Sequence, residues 1–96
     1  MLPDQVKICG INFDVKEVES GSLENDLLGK INFNKSLITI AADMADDLKV
    51  MMLIHEVLHG IIGLSGVNIG DEESIIRGVS AGLYPVVKDL ASKSVL

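Results

Sequence analysis

The chain changes its rhythm of apolar and polar residues near the middle. In the first half, "QVKICG" and "INFDVKEV" alternate at a spacing close to two, the repeat of a strand with one covered face. Gly10 lies between them and permits a turn or bulge. "LLGKINF" and "SLITIA" read as a second hairpin, with Asn34 and Lys35 at its turn. Leu37–Ala41 is apolar on both faces, which predicts a well-covered strand. Between the two pairs, "ESGSLEND" (residues 19–26) is polar and turn-rich, and predicts an exposed, mobile loop.

The second half is helical in period. "ADMADDLKVMMLIHEVLHGIIGLSG" opens with Asp43, Asp46 and Asp47, whose carboxylates cap free amides and favour the helix dipole. Beyond Lys49 the segment is apolar nearly all round, the mark of a buried central helix, and Gly63 and Gly66 can end it. After "SGVNIG" a second helix starts, with Asp71 as N-cap and Ile75, Ile76, Val79, Leu83, Val86 and Val87 at helical spacing. Pro85 is expected to kink or restart it. Strands followed by helices predict an α+β fold: a small antiparallel sheet of three to four strands packed on two main helices. No repeat, low-complexity tract or linker interrupts residues 1–96, so a single domain is expected.

Composition adds few changes to this picture. The chain is 48% apolar but has only Phe13, Phe33 and Tyr84 as aromatics, so aliphatic side chains and methionine must fill the core. A net charge of −6 with no Lys/Arg cluster argues against a nucleic-acid partner, because that binding runs on cations. Cys9 is the single cysteine, which excludes an internal disulfide; flanked by Ile8 and Ile11, it is expected to be a buried strand residue. "MLPDQVKICG" lacks the apolar run of a signal peptide, and the densest apolar run, residues 50–54, is short of a membrane span. A cytoplasmic protein without a membrane partner is expected.

The candidate chemistry sits in "LIHEVLHGI", which holds both histidines of the chain and one glutamate among apolar residues and glycine. On a helix, residues four apart share a face, so His55 and His59 point the same way, as two imidazoles must to share one ion. Glu56 lies about 100° round the helix from His55. That places it to take a proton from a water on the metal rather than to complete the shell. A helix that merely carries polar residues would bury a carboxylate and two imidazoles at a cost of several kcal/mol. A bound dication removes that cost. Catalytic zinc takes three protein ligands plus water. No further histidine exists, and Ser65 occupies the place where the metzincin pattern has its third, so the third ligand must be a carboxylate. Asp71, Glu72 and Glu73, opening the next helix, are the candidates; N-terminal capping is the alternative use for them. The apolar stripe favours Glu72, in phase with Ile75, Ile76 and Val79. An antiparallel helix pair would bring this turn near the motif, and Gly60 and Gly63 facing Gly78 and Gly82 would let the backbones approach.

"MLIHEVLHGI" resembles the zincin signature, in which the residues around His-Glu-x-x-His are uncharged. The chain as a whole is similar to the small phage- and mobile-element-borne, gluzincin-like metallopeptidases of the ImmA/IrrE type. The likeness rests on short strands, a segment like "GKINFNKSLITI", the motif helix, and a second helix opening with acidic residues. "ESIIRGVS" fits the second motif of that family with Glu73 as its glutamate. The resemblance thus implies zinc held by His55, His59 and Glu73, with Glu56 as base, hydrolysing peptide bonds in a protein or peptide substrate. A peptide substrate is expected to lie extended beside an exposed strand edge, with Leu37–Ala41 as the strand to test. For an oxyanion donor the chain offers Arg77 and Tyr84. Arg77 is also placed to pair with Glu73 four residues earlier, and Tyr84 is about 16 Å along a helix from Glu73. The competing expectation is a non-catalytic, metal-stabilised binding or assembly module on the same scaffold. Glu56 speaks against it, since a structural ion needs no base.

Overall fold

The computed structural model of the protein describes residues 2–23 and 27–93; the last three residues of the expected 19–26 loop lie outside them. Four strands, β1 (Gln5–Ile8), β2 (Ile11–Val18), β3 (Gly29–Asn32) and β4 (Leu37–Ala41), precede two helices, α1 (Asp46–Ser65) and α2 (Glu72–Ser92). A short 3-10 turn at Ser20–Ser22 follows β2. The α+β class and the sheet-on-two-helices architecture are those expected from the pattern.

The sheet order is β1-β2-β4-β3. β1 with β2 and β3 with β4 are antiparallel hairpins, but the central β2·β4 pair is parallel, with Asp14 beside Leu37 and Val18 beside Ala41. The sheet is therefore mixed. β4 is inserted between β2 and β3, so the well-covered strand is interior and β3 forms the edge. That corrects the choice of Leu37–Ala41 as a docking edge.

The β1–β2 turn corrects a second expectation. Ile8 pairs with Ile11, leaving Cys9 and Gly10 as a two-residue loop with φ of 50° and 84°. Two positive φ values suit the right-handed twist of a tight hairpin. They also lift Cys9 off the sheet, so it is exposed at the hairpin tip instead of buried in a strand.

Alternation along β2 buries Phe13 and Val15, and β4 buries Ile38, Ile40 and Ala41. These residues, with Ile8 and Leu53 of α1, form the core between the sheet and α1. Gly60 and Gly63 serve this contact and not the helix pair. A Cβ on Gly60 would lie 2.8 Å from the Ile8 side chain, and one on Gly63 would lie 2.6 Å from the Phe33 ring. Gly78 and Gly82 face open space. α1 is long and apolar enough to cross a membrane by length and composition alone. Here it packs against β1, β3, β4 and α2 as the central element of a compact chain with a radius of gyration of 13.1 Å.

α1 starts without a side-chain cap: its N-cap is Ala45, and Asp46 and Asp47 sit in the first turn, where their charge favours the dipole. α2 is capped as expected, with the Ser74 N–H donating to Asp71 at 3.3 Å. It runs through Pro85 to Ser92 without a restart. Pro85 and Ala81, the residue whose carbonyl loses its helical donor, are both exposed.

Candidate metal centre

α1 carries His55, Glu56 and His59 on its buried length, with His55 and Glu56 only 8% and 7% exposed. The i, i+4 spacing stacks the two imidazoles, whose ring centroids lie 4.9 Å apart. α2 then delivers its first turn against them. The Glu73 carboxylate spans both rings, with Oε1 at 3.0 Å from His55 Nε2 and Oε2 at 2.8 Å from His59 Nε2. One ligand atom from each of His55, His59 and Glu73 falls within 4.8 Å of the others, close enough to hold one metal ion. Glu72 also reaches the site, but on the far side of the same ring, with Oε2 at 2.7 Å from His59 Nδ1. Both candidate glutamates thus meet the motif, through opposite nitrogens of one histidine. Asp71 serves as the helix cap instead.

Electrostatics divide these groups by task. Burial pushes the Glu56 carboxyl up to about 7; the His59 charge opposes that shift and Glu73 adds to it. Burial works against a charged His59, but its hydrogen bonds to Glu72 and Glu73, with help from Glu56, outweigh this and raise its pKa above the ordinary value. Burial also works against a charged Glu73, and its contacts with His59 and His55 overcome that and hold its carboxyl below the usual range. An ionised carboxylate sits between two imidazoles, beside a carboxyl kept near neutrality.

No protein-family model, curated protein or solved structure matches the chain.

A cavity of about 330 Å³ opens over the site, lined by Glu56, His55, His59, Glu72 and Glu73 on one side and by Leu27, Gly29, Lys30, Ile31 and Phe33 on the other. A second, of about 350 Å³, shares Leu27, Gly29, His55, Glu56 and Glu73 and continues toward Met51, Met52, Arg77, Ser80 and Ala81. The two form a trough along the β3 edge with Glu56, His55 and Glu73 at its middle. Sequence reasoning missed the β3 wall. Gly29 is a close-approach point of it: a Cβ there would lie 3.3 Å from Glu56 Cγ and Oε2. The only sequence signal for it is a glycine inside a strand pattern, which marks close approach of a neighbour.

The two proposed oxyanion donors separate. Arg77 lines the second cavity, 3.7 Å from Glu73 Oε1, with its side chain 74% exposed. Tyr84 does not line either cavity; it bonds Asp47 at the first turn of α1, where Lys88 joins them. That is the opposite end of the helix pair, which removes Tyr84 from the site.

Proposed function

We propose that the protein is a zinc-dependent metallopeptidase, related in its design to the ImmA/IrrE-type zincins. The observation that carries this reading is the convergence of two imidazole nitrogens on the Glu73 carboxylate beside a buried Glu56. Two histidines and one carboxylate are the donor set of catalytic zinc, with one position left for water or substrate. His55, His59 and Glu73 would hold the zinc ion, which would supply Lewis-acid chemistry at a peptide carbonyl and a water.

The remaining work falls to the chain's own groups. Glu56, buried beside the two histidines, is placed to accept a proton from water and to return it to a leaving amine. β3 provides the peptide rail. The Ala41 N–H donates to the Leu28 carbonyl at 2.9 Å, so Leu28, Lys30 and Asn32 turn their backbone groups toward β4. Gly29 and Ile31 consequently turn theirs outward along the open edge, where an extended peptide adds by main-chain pairing. Glycine at position 29 keeps the Glu56 side chain in place beside that rail.

One observation favours a second reading. With Tyr84 remote and Arg77 exposed and paired with Glu73, neither of the two expected oxyanion donors is committed to the site. A structural ion in a non-catalytic binding or assembly module would not need one. Zinc analysis of the purified protein with Glu56→Gln separates the readings. A peptidase binds about one zinc per chain in both forms and cleaves a fluorogenic peptide library only in the unsubstituted one. Zinc binding without cleavage in either form supports the module. Protein that neither holds nor takes up zinc refutes both.

A further inference from the structure

Consecutive glutamates at the start of α2 treat His59 differently from His55. His55 meets one carboxylate, at Nε2, whereas His59 is held from both sides, by Glu73 at Nε2 and by Glu72 at Nδ1. Neighbouring helix residues point about 100° apart. Two adjacent glutamates can therefore straddle one imidazole ring where two residues on the same face could not.

We propose that Glu72 is a positioning residue for His59: it accepts the Nδ1–H, fixes the tautomer, and turns Nε2 toward Glu73 and the ion the pair would hold. The inference rests on the zinc-site reading and adds a residue to it. An ionised carboxylate only accepts hydrogen bonds, so the ring nitrogen at 2.7 Å from it must carry the proton. Nε2 lies 2.8 Å from Glu73 Oε2, so without a metal that nitrogen donates as well; a metal ion would take the place of the Nε2 proton and leave the Nδ1–H on Glu72. Ligating histidines commonly make this outer hydrogen bond to a carboxylate, which orients the ring and raises its basicity. Helix capping does not account for the contact. Asp71 already accepts the Ser74 N–H, and a charge in the first turn favours the dipole wherever its side chain points. The competition between Glu72 and Glu73 for the third ligand position then disappears, since each has its own nitrogen.

The test uses the full chain and zinc alone. Zinc affinity is measured by chelator competition in the unsubstituted protein, Glu72→Ala, Glu72→Gln and Glu73→Gln. Nitrogen-15 spectra of the His59 ring and the visible spectrum of the cobalt-substituted protein are recorded alongside. Glu72→Ala weakens zinc binding by about 10- to 100-fold and removes the protected Nδ1–H signal, while the cobalt spectrum keeps its ligand-field bands. Glu72→Gln, which retains a carbonyl acceptor, recovers most of the affinity and the Nδ1–H signal. A purely helix-stabilising role would leave the ring signal untouched. The proposal is overturned if Glu72→Ala binds zinc like the unsubstituted protein and keeps the signal. It is equally overturned if Glu72→Ala alters the cobalt spectrum as Glu73→Gln does, because Glu72 would then be a ligand itself. Failure of the zinc-site reading looks different: the unsubstituted protein takes up no zinc, or Glu73→Gln leaves its affinity and cobalt spectrum unchanged.

Discussion

α1 and α2 are of similar length and lie side by side, yet different forces hold them. α1 buries Leu53, His55, Glu56 and Gly60 against the sheet and its partner helix. α2 buries only Ile76 and Ser80 among the described residues, and leaves Ile75, Val79, Leu83 and Val86 between 37% and 53% exposed. Its attachment is concentrated at two polar ends. Glu72 and Glu73 meet the histidines at one, and Tyr84 and Lys88 meet Asp47 at the other. α1 sets Leu53 into the core cluster with Met52 and Val57 packed against it, whereas α2 has Ile76 as its one large buried apolar side chain among the described residues and adds polar contacts at both ends. A metal ion at the proposed site would therefore also tether the outer helix.

The largest effect should come from the packed side. Leu53 is 7% exposed within the core cluster. Leu53→Ala should cost about 2–5 kcal/mol in denaturant unfolding, through lost burial and the cavity left behind. A loss below about 1 kcal/mol would mean that apolar packing does not fix α1, and the contrast would fail.

Zinc should act next, and on the other helix. A ligand that binds only the folded state stabilises it by about 4 kcal/mol at a thousandfold excess over its dissociation constant. Chelation should remove that increment, lowering the melting temperature. Native-state hydrogen exchange should show the gain in protection concentrated in α2 relative to α1. Equal gains in both helices would show that the site does not selectively tether α2.

The same division explains what could be read in the sequence. The pairing of His55 with His59 was legible because four-residue spacing on a helix dictates a common face, whatever the rest of the fold. The α+β class followed from the change in period near residue 42. The order of strands did not, because chain adjacency favours a run of antiparallel hairpins and nothing local marks β4 for insertion beside β2. Cys9 misled for a related reason: its apolar neighbours belong to strands, but a two-residue turn lifts it out of both. Gly60 and Gly63 were correctly read as close-approach positions but assigned to the wrong neighbour, since spacing on one helix does not say which surface faces it. For the third carboxylate the apolar stripe pointed to Glu72 and the family resemblance to Glu73; both reach the motif, and the ring geometry of His59 gives each its own nitrogen.

Protons provide a third probe, at about 3 kcal/mol. In metal-free protein Glu56 has its carboxyl at about 7 against an ordinary value of 4.5, so between those values the folded state keeps a proton that the unfolded chain releases. Its contribution to stability is full below 4.5 and is lost as pH rises through about 7. His59, also raised, adds in the same direction: its contribution is present below its ordinary 6.5 and lost as pH rises through the folded value. Glu73 is lowered, so its contribution is lost only in acid, as pH falls below 4.5. Without metal, stability should fall from pH 5 to pH 8, by about 3 kcal/mol on account of Glu56. Glu56→Gln should flatten most of that slope. A slope unchanged by the substitution would place the titration elsewhere.

The smallest effect should come from the outer face of α2. Val79 is 48% exposed and Val86 is 53% exposed, so little apolar surface is returned to water when either is made polar. Val79→Ser and Val86→Ser should each change unfolding free energy by no more than about 0.5 kcal/mol, the range of surface substitutions. Leu53→Ala, on the helix alongside, removes a side chain of the same class at several times the cost. Thermal melts at two protein concentrations sharpen the comparison, because an apolar row of this kind either faces water or meets another surface. Melting temperatures independent of concentration, with near-neutral substitutions, describe an outer helix held at its ends. A concentration-dependent melt that Val79→Ser abolishes would show instead that the row is buried in solution, and that apolar packing places α2 as it does α1.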